Sequence, residues 1–155
     1  MIRYCIPLLA FILAGCSIKT QINPAPQGTE ISTLYIQDNP EVFMDGLLPE
    51  IVRQLERMGY QVKVYKGERP AGVVHHAEFT ANWTWDLAMY LTYFRVELFQ
   101  DGVPRGKAEY DARMGGFRLD KFGPTAGKIE PVLRELLKNA KPIDPPTAPK
   151  LGSSL

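Results

Sequence analysis

The sequence predicts an α+β domain with two layers, in which two helices cover one face of a mostly antiparallel sheet of four to five strands. Three observations predict it. Apolar and polar residues alternate over residues 79–85, which is the period of a strand with one buried face. Apolar residues recur at helical spacing over 43–58, and again over 129–137. Because each apolar stripe must be covered, the helices are expected to pack on the apolar face of the sheet.

The predicted element order is β-α-β-β-β-β-α, beginning with a strand rich in β-formers at 32–37. Pro40 stands where a first helical residue would, and Gly59 ends the helix. Pro49 predicts a kink, or a helix that begins near Leu48. The apolar face of this helix comprises Phe43, Leu47, Leu48, Ile51, Val52, Leu55 and Met58. A short connection to the strand at 60–65 favours parallel pairing with the first strand.

The hairpin formed by residues 90–100 and 106–113 has a predictable register. Core residues occupy even positions on both strands, so paired positions must have an even sum. An odd-length loop from Asp101 to Val103, or a bulge with the same effect, satisfies this condition. The resulting cross-strand pairs are Val96 with Ala108, Phe94 with Tyr110, Glu97 with Lys107 and Arg95 with Glu109. The final helix is expected to bury Ile129, Val132, Leu133, Leu136 and Leu137.

Two polar segments flank the predicted domain, which spans 31–140. Segment 16–30 contains two prolines and a glycine, and segment 141–155 contains four prolines and no apolar period. Segments of this composition bury too little apolar surface to offset the entropy lost on ordering. We therefore expect a tether at 16–30 and a disordered tail at 141–155.

The first sixteen residues have the layout of a secretory signal peptide. Arg3 precedes an apolar run at 6–14, which is too short to span a bilayer as a helix, and small residues precede a cysteine. The motif Leu13-Ala14-Gly15-Cys16 resembles the lipobox of bacterial lipoproteins. An ordinary signal peptide or a buried N-terminal strand is the alternative.

The lipobox resemblance implies that residues 1–15 are removed, that the Cys16 thiol receives a diacylglycerol, and that the new amino terminus is acylated. Ser17, rather than aspartate, follows the cysteine, which implies the periplasmic face of the outer membrane. The likeness of the remaining domain to small outer-membrane lipoproteins is architectural and says little about function.

The composition of the processed chain excludes some function classes. Loss of Arg3 leaves 18 − 1 = 17 basic and 17 acidic side chains, so the chain is neutral and has no signature of a nucleic-acid binder. Membrane attachment must therefore come from the acyl chains, since one chain alone binds marginally and several bind stably. Cys5 leaves with the signal peptide and Cys16 is consumed, so we expect no disulfide.

No catalytic site, metal site or cofactor is predicted. The serines are Ser17, Ser32, Ser153 and Ser154, most of them in the flanking segments, and no free thiol remains. The neighbouring His75 and His76 would point to opposite sides of a strand, so they cannot easily share a metal, and we expect an exposed loop pair. The carboxylates Asp86, Glu97, Glu109 and Asp111 are expected on a solvated, charge-paired face.

A partner-binding patch is predicted at Met89, Leu91 and Tyr93, which would point away from the core unless the tail or the lipid surface covers them. Trp83 and Trp85 share the predicted core face, although aromatic pairs also bind sugars or peptides. The predicted function is a lipid-anchored, non-enzymatic accessory protein that binds another envelope component. The alternatives are an immunity or inhibitor lipoprotein, and an enzyme in which Asp86, Glu97 or His76 converge in a deep cleft.

Overall fold

The predicted α+β class is confirmed. The computed structural model describes residues 18–114 and 122–144; the predicted signal peptide, Cys16 and residues 145–155 of the predicted tail lie outside them. The elements are β1 (Lys19–Asn23), β2 (Thr29–Ile31), β3 (Leu34–Gln37), α1 (Leu47–Arg57), β4 (Val62–Tyr65), β5 (His75–Asp86), β6 (Ala88–Gln100), β7 (Val103–Asp111), α2 (Thr125–Leu137) and β8 (Ala140–Pro142). Neither helix of this described part is long and apolar enough to cross a bilayer.

The main sheet contains six strands in the order β1-β7-β6-β5-β3-β4, one more than the largest number predicted, and β2 pairs with β8 in a separate small sheet. Within the main sheet, pairing is antiparallel except between β3 and its neighbours β4 and β5, which run parallel to it. The parallel β3–β4 pair joined through α1 is therefore as predicted.

The core lies between the two helices and one face of the main sheet. All five apolar residues predicted for the last helix are buried in α2, and α1 buries Leu47, Ile51 and Leu55. The sheet contributes Ala77, Phe79, Ala81, Phe94, Val96, Leu98, Ala108 and Tyr110. Burial of each large apolar side chain stabilises the fold by about 1.5–3 kcal/mol. We call the opposite side of the sheet the helix-free face.

Helix α1 begins at Leu47, close to the predicted start at Leu48, and Phe43 lies outside it with 90% of its surface exposed. Pro49 is the third helical residue. In the first turn an N–H has no intrahelical acceptor, so a proline there removes no hydrogen bond and no kink is required.

The β6–β7 register is confirmed at all four predicted pairs. A two-residue turn joins the strands, with Asp101 at φ 52° and Gly102 at φ 79°. Leu98 pairs with Gly106 whereas Phe99 pairs with Pro104, so Arg105 is an extra residue on β7. The predicted three-residue loop is therefore wrong, and the predicted alternative, a bulge with the same effect, is correct.

The predicted tether is wrong for the residues that the structure describes. β1 is an edge strand paired with β7, and Ala25 is completely buried. The backbone N–H of Ala25 donates to the Leu136 carbonyl, and Asn139 Nδ2 donates to the Ala25 carbonyl, so this segment satisfies groups at the C-terminal end of α2. A polar edge strand gains its stability from backbone hydrogen bonds, which composition does not reveal.

The predicted tail boundary also requires correction. β8 begins at Ala140 and pairs in parallel with β2, whose Ile31 is completely buried. The Ile143 N–H then donates to the Ile31 carbonyl. Both predicted boundaries, 31 and 140, therefore cut through ordered structure, and the domain of the described residues extends from 18 to 144.

Candidate functional site

The hairpin of β5 and β6 extends beyond the other strands of the sheet. β1 begins and β7 ends in the same row of the sheet, where Lys19 pairs with Asp111 and Asp111 pairs with Tyr93. β6 begins five residues before Tyr93, at Ala88, which at about 3.3 Å per residue is a projection of roughly 17 Å. Leu87 forms the turn with a left-handed φ of 61°. We call residues 83–91 the distal hairpin.

A bulge on β6 changes which side chains of the distal hairpin face the helices. Asn82 pairs with Tyr93 but Trp83 pairs with Leu91, so Thr92 is an extra residue. The Thr92 hydroxyl donates to the Asn82 carbonyl at 3.0 Å, which fixes the bulge locally. Odd-numbered residues therefore face away from the helices at Tyr93 and toward them at Leu91.

The predicted exposed patch of Met89, Leu91 and Tyr93 is consequently not one surface. Leu91 is fully buried on the core face, so its predicted exposure is wrong. Tyr93 does point to the helix-free face as predicted, but it is buried there, with the Arg113 guanidinium 4.3 Å from its ring centre. Only Met89 is exposed, with 54% of its surface accessible.

The distal hairpin carries an apolar group that the prediction did not identify. Trp83 is half-buried against the core, whereas Trp85 is 68% exposed and pairs with Met89, so core packing of Trp85 is wrong. Leu87, at the turn, is 86% exposed. Trp85 follows Trp83 on the core face, but the helices end before they reach it. Sequence periodicity indicates the face of a residue and not where the covering layer ends.

The same end of the molecule gathers further exposed apolar side chains. In the loop after β3, Asn39 Nδ2 donates to the Phe79 carbonyl at 2.8 Å. This loop therefore runs beside β5 toward the distal hairpin. This loop brings Met44 to a groove of about 220 Å³ beside Trp83. Met114 follows the end of β7. We define the apolar end as Phe43, Met44, Trp85, Leu87, Met89 and Met114, all exposed.

The remaining exposed large apolar residues of the described part are β-branched: Val64, Val74, Val103 and Ile143. Val74 and Val103 lie at the opposite end of the sheet, where the Asp101 N–H donates to the Val74 carbonyl. Among residues 18–114 and 122–144, the exposed Trp, Phe, Leu and Met side chains are thus confined to the apolar end, which distinguishes it from ordinary scattered surface apolarity.

Positive side chains border the apolar end. Lys19 is exposed at the start of β1. Lys128 Nζ donates to the Leu91 carbonyl at 3.2 Å and lies 5.4 Å from the ring centre of Tyr90. Arg113 donates to both carboxylate oxygens of Asp111, at 2.9 and 2.6 Å, and these hydrogen bonds lower the pKa of Asp111.

The carboxylates Glu97, Glu109 and Asp111 lie on the helix-free face and are charge-paired, as predicted. Glu97 lies 3.5 Å from Arg95, and Glu109 lies 3.2 Å from Lys107. A depression of about 170 Å³ on this face is lined by Glu78, Glu97 and Arg95, among others, but not by His76. Asp86 ends β5 in the distal hairpin.

Both histidines are buried on β5, so the predicted exposed loop pair is wrong. They alternate across the sheet, with His75 on the side of Ala77 and His76 on the helix-free face. Burial lowers the pKa of His75, and its Nε2 atom has no hydrogen-bond partner among the described residues. Those residues contain no group of three or more His, Cys, Asp and Glu side chains that could hold a metal ion.

No known sequence family matches this chain, and no curated protein sequence matches it. Solved structures do share its fold. A PelC dodecamer from Paraburkholderia phytofirmans aligns with a TM-score of 0.53 at 11% identity, over 81% of this chain and 99% of that one. A point variant of that PelC dodecamer aligns with a TM-score of 0.54 at 12% identity, over 77% and 97%. The chain therefore has the fold of a PelC protomer.

Proposed function

We propose that this chain is a lipid-anchored, non-enzymatic accessory protein on the periplasmic face of the outer membrane, where it binds another envelope component. The observation that carries the proposal is the coincidence of the apolar end with the point where the N-terminal segment leaves the domain. A lipid surface is the partner that would bind both the apolar end and an acylated N-terminal segment.

Chain geometry supports this orientation. Cys16 precedes Ile18, the first described residue, by two positions, so its Cα lies within about 7 Å of the Ile18 Cα. β1 begins at Lys19 in the row from which the distal hairpin projects. Acyl chains on Cys16 would therefore enter a bilayer beside Trp85, Leu87 and Met89.

The energetics favour a role for the apolar end in addition to the acyl chains. Transfer of a fully exposed Leu, Met or aromatic side chain out of water contributes about 1.5–3 kcal/mol. Tryptophan also suits the membrane interface, where its ring is apolar and its N–H remains hydrated. We propose that Lys19, which is exposed at the start of β1, contacts anionic headgroups. The acyl chains would fix the protein to the membrane, and the apolar end would fix its orientation.

Self-assembly is part of the proposed role. PelC, whose protomer has this fold, forms a dodecamer, and we propose that the envelope component bound by this chain includes further copies of itself. The non-enzymatic assignment is supported by the charge-paired carboxylates of the helix-free face. Cross-linking and light scattering of the detergent-solubilised full chain test the assembly, and a monomer at all concentrations would contradict it.

Lipidation is tested separately from membrane contact. Metabolic labelling with a fatty acid should label the wild-type chain and not Cys16→Ala. An unlabelled wild-type chain would remove the lipoprotein proposal.

Contact of the apolar end is measured on a chain that begins at Ser17, which retains every described residue but no lipid. This chain should cosediment weakly with vesicles that contain anionic lipid, and a Trp85→Ser/Leu87→Ser/Met89→Ser variant should lose that binding. Val103→Ser, which changes an exposed apolar residue at the opposite end, is the matched control. Equal vesicle binding by all three chains would show that the apolar end does not contact lipid.

A further inference from the structure

The connection between β4 and β5, residues 66–74, crosses the helix-free face of the sheet. β4, β3 and β5 are parallel, so the chain must return along the sheet before β5 can begin. We call this connection the strap. Gln37 Nε2 donates to the Gly67 carbonyl at 3.2 Å at one end, and the Asp101 N–H donates to the Val74 carbonyl at 2.8 Å at the other. Gly67 and Gly72 have φ values of 68° and 76°, in the left-handed region that glycine adopts without steric cost.

The middle of the strap is held by a contact with His76. His76 is only 4% exposed, and its ring stacks on Phe99 with centres 4.7 Å apart and planes inclined by 14°. Arg69 Nη1, on the strap, lies 3.5 Å from His76 Nδ1. His76 Nε2 lies 3.6 Å from Glu78 Oε1 on the other side of the ring.

These partners favour one arrangement of protons on the ring, the one in which both contacts are attractive. A guanidinium group can only donate hydrogen bonds, so Nδ1 must be the acceptor for Arg69. The proton of the neutral ring is then on Nε2, directed toward Glu78. A second proton could only be added at Nδ1, where it would remove the acceptor of Arg69 and place two positive charges 3.5 Å apart.

The remaining groups near the ring offset this repulsion only in part. Glu78 favours the protonated ring, and because Glu78 and Arg69 are both exposed, solvent screens both charges. Phe99 on β6 carries no charge. Tyr35 pairs with His76 from β3, and the Lys63 ammonium lies 5.8 Å from the Tyr35 ring centre, a further positive charge on that side. Tyr65 at the end of β4 is buried and neutral, because burial raises its pKa.

We propose that His76 is a pH-sensitive latch: the neutral imidazole holds the strap through Arg69, and protonation releases it. Release would uncover the His76 ring and the neighbouring part of the helix-free face, next to the depression lined by Glu78 and Glu97. The strap would thus change the surface offered to a partner when the surroundings become acidic.

The direction of the pH dependence follows from the environment of His76. Burial lowers its pKa most, Arg69 lowers it further, and Glu78 partly opposes them. The folded pKa therefore lies below the usual value of about 6.5. Above about pH 6.5 the His76 ring is neutral in both the latched and the released form, and the latch is closed. As the pH falls below it, protonation favours the released form, and the latch is lost as the pH passes the lowered folded pKa.

Backbone NMR relaxation of the full chain at about pH 7.5 and about pH 5 tests the latch, because it reports the motion of exposed amides that donate no hydrogen bond. The order parameters of the strap amides should fall from about 0.85 to about 0.6 or lower at the lower pH, while those of β6 should not change. In His76→Asn, which keeps a side-chain acceptor for Arg69 but cannot become protonated in this range, the strap should not respond to pH. A fall in the strap order parameters of His76→Asn equal to that of wild type, or no fall in wild type, would overturn the proposal.

A second variant keeps the test independent of how well His76→Asn folds. Arg69→Gln should lower the order parameters of the strap amides at both pH values and raise the pKa of His76, measured from its ring proton shifts. His75→Asn, which changes the neighbouring histidine on the opposite face, serves to assign the ring signals and should leave the strap response intact. An unchanged His76 pKa in Arg69→Gln would show that the guanidinium does not act on the ring.

Discussion

The two hairpins of the sheet differ in how well their registers could be predicted. In β6–β7 the apolar residues alternate on both strands, and the predicted pairs, including Val96 with Ala108, are the observed ones. In β5–β6 the alternation of β5 was recognised, but the faces of Leu91 and Met89 were assigned wrongly. Each hairpin contains a bulge, so the presence of a bulge is not the reason for the difference.

The difference lies in the side chains around each bulge. On both strands beside Arg105, the apolar residues occupy even-numbered positions and must face the core together. Only an odd-length loop or an extra residue places them on the same face. Around Thr92, apolar residues occupy nearly every position from Met89 to Phe94. A change in which residues face the core cannot be recognised from the sequence of such a run. A parity argument therefore holds only as far as the next bulge.

The largest expected effect on stability tests the face of the sheet on which Leu91 lies, which the sequence predicted wrongly. Leu91→Ala should lower the free energy of unfolding by about 2–5 kcal/mol, because it leaves a cavity under the helices. Met89→Ala, two residues away on the same face but beyond the helices, should change it by less than about 0.5 kcal/mol. Urea unfolding of both variants measures the contrast. Similar losses for both would show that the helices cover the whole distal hairpin, and a stable Leu91→Ala would restore the original assignment of faces.

The sequence was sufficient for the elements that have both strong periodicity and burial. The α2 stripe from Ile129 to Leu137 and the hairpin register were predicted residue by residue. β1 was missed because KTQIN has one half-buried apolar residue, Ile22, and is stabilised as an edge strand by backbone pairing with β7. The apolar end was missed because it is formed by three separate segments that meet only in the fold. Lone sequence windows contain no information on such convergence.

The second largest expected effect on stability tests whether the N-terminal segment packs closely against β7 beside its bulge. A Cβ atom at Gly106 would lie 2.9 Å from Leu136 Cδ1, 3.0 Å from the Ala25 nitrogen and 3.2 Å from the Asn23 oxygen. Gly106→Ala should therefore cost about 1–3 kcal/mol, since backbone atoms cannot move aside as a flexible side chain can. Gly46→Ala is the control, because no atom lies within 4 Å of its Cβ position and its φ of −80° suits alanine. If 16–30 were a free tether, Gly106→Ala would be as mild as Gly46→Ala.

The smallest expected effect on stability tests the register of the β6–β7 hairpin. Glu97 faces Lys107 across the strands, and Glu97→Lys places like charges opposite each other. The cost should be a few tenths to about 1 kcal/mol, reduced because Glu97 also faces Glu78, which would attract the new lysine. Lys107→Glu alone should cost a similar amount, since Glu109 lies 3.2 Å from the Lys107 ammonium.

The double variant Glu97→Lys/Lys107→Glu should recover part of the two losses, because it restores an opposite-charge pair at the same positions. The coupling free energy, obtained from urea unfolding of all four chains, should be favourable by a few tenths of a kcal/mol or more. It should shrink at high salt, since both side chains are partly exposed and the ions screen them. A cycle of Glu97→Lys with Lys141→Glu, whose ammonium pairs with Glu30 in the small sheet, should show no coupling. Strictly additive losses for the Glu97–Lys107 pair would mean that the two side chains do not interact across the strands, despite a register that places them side by side.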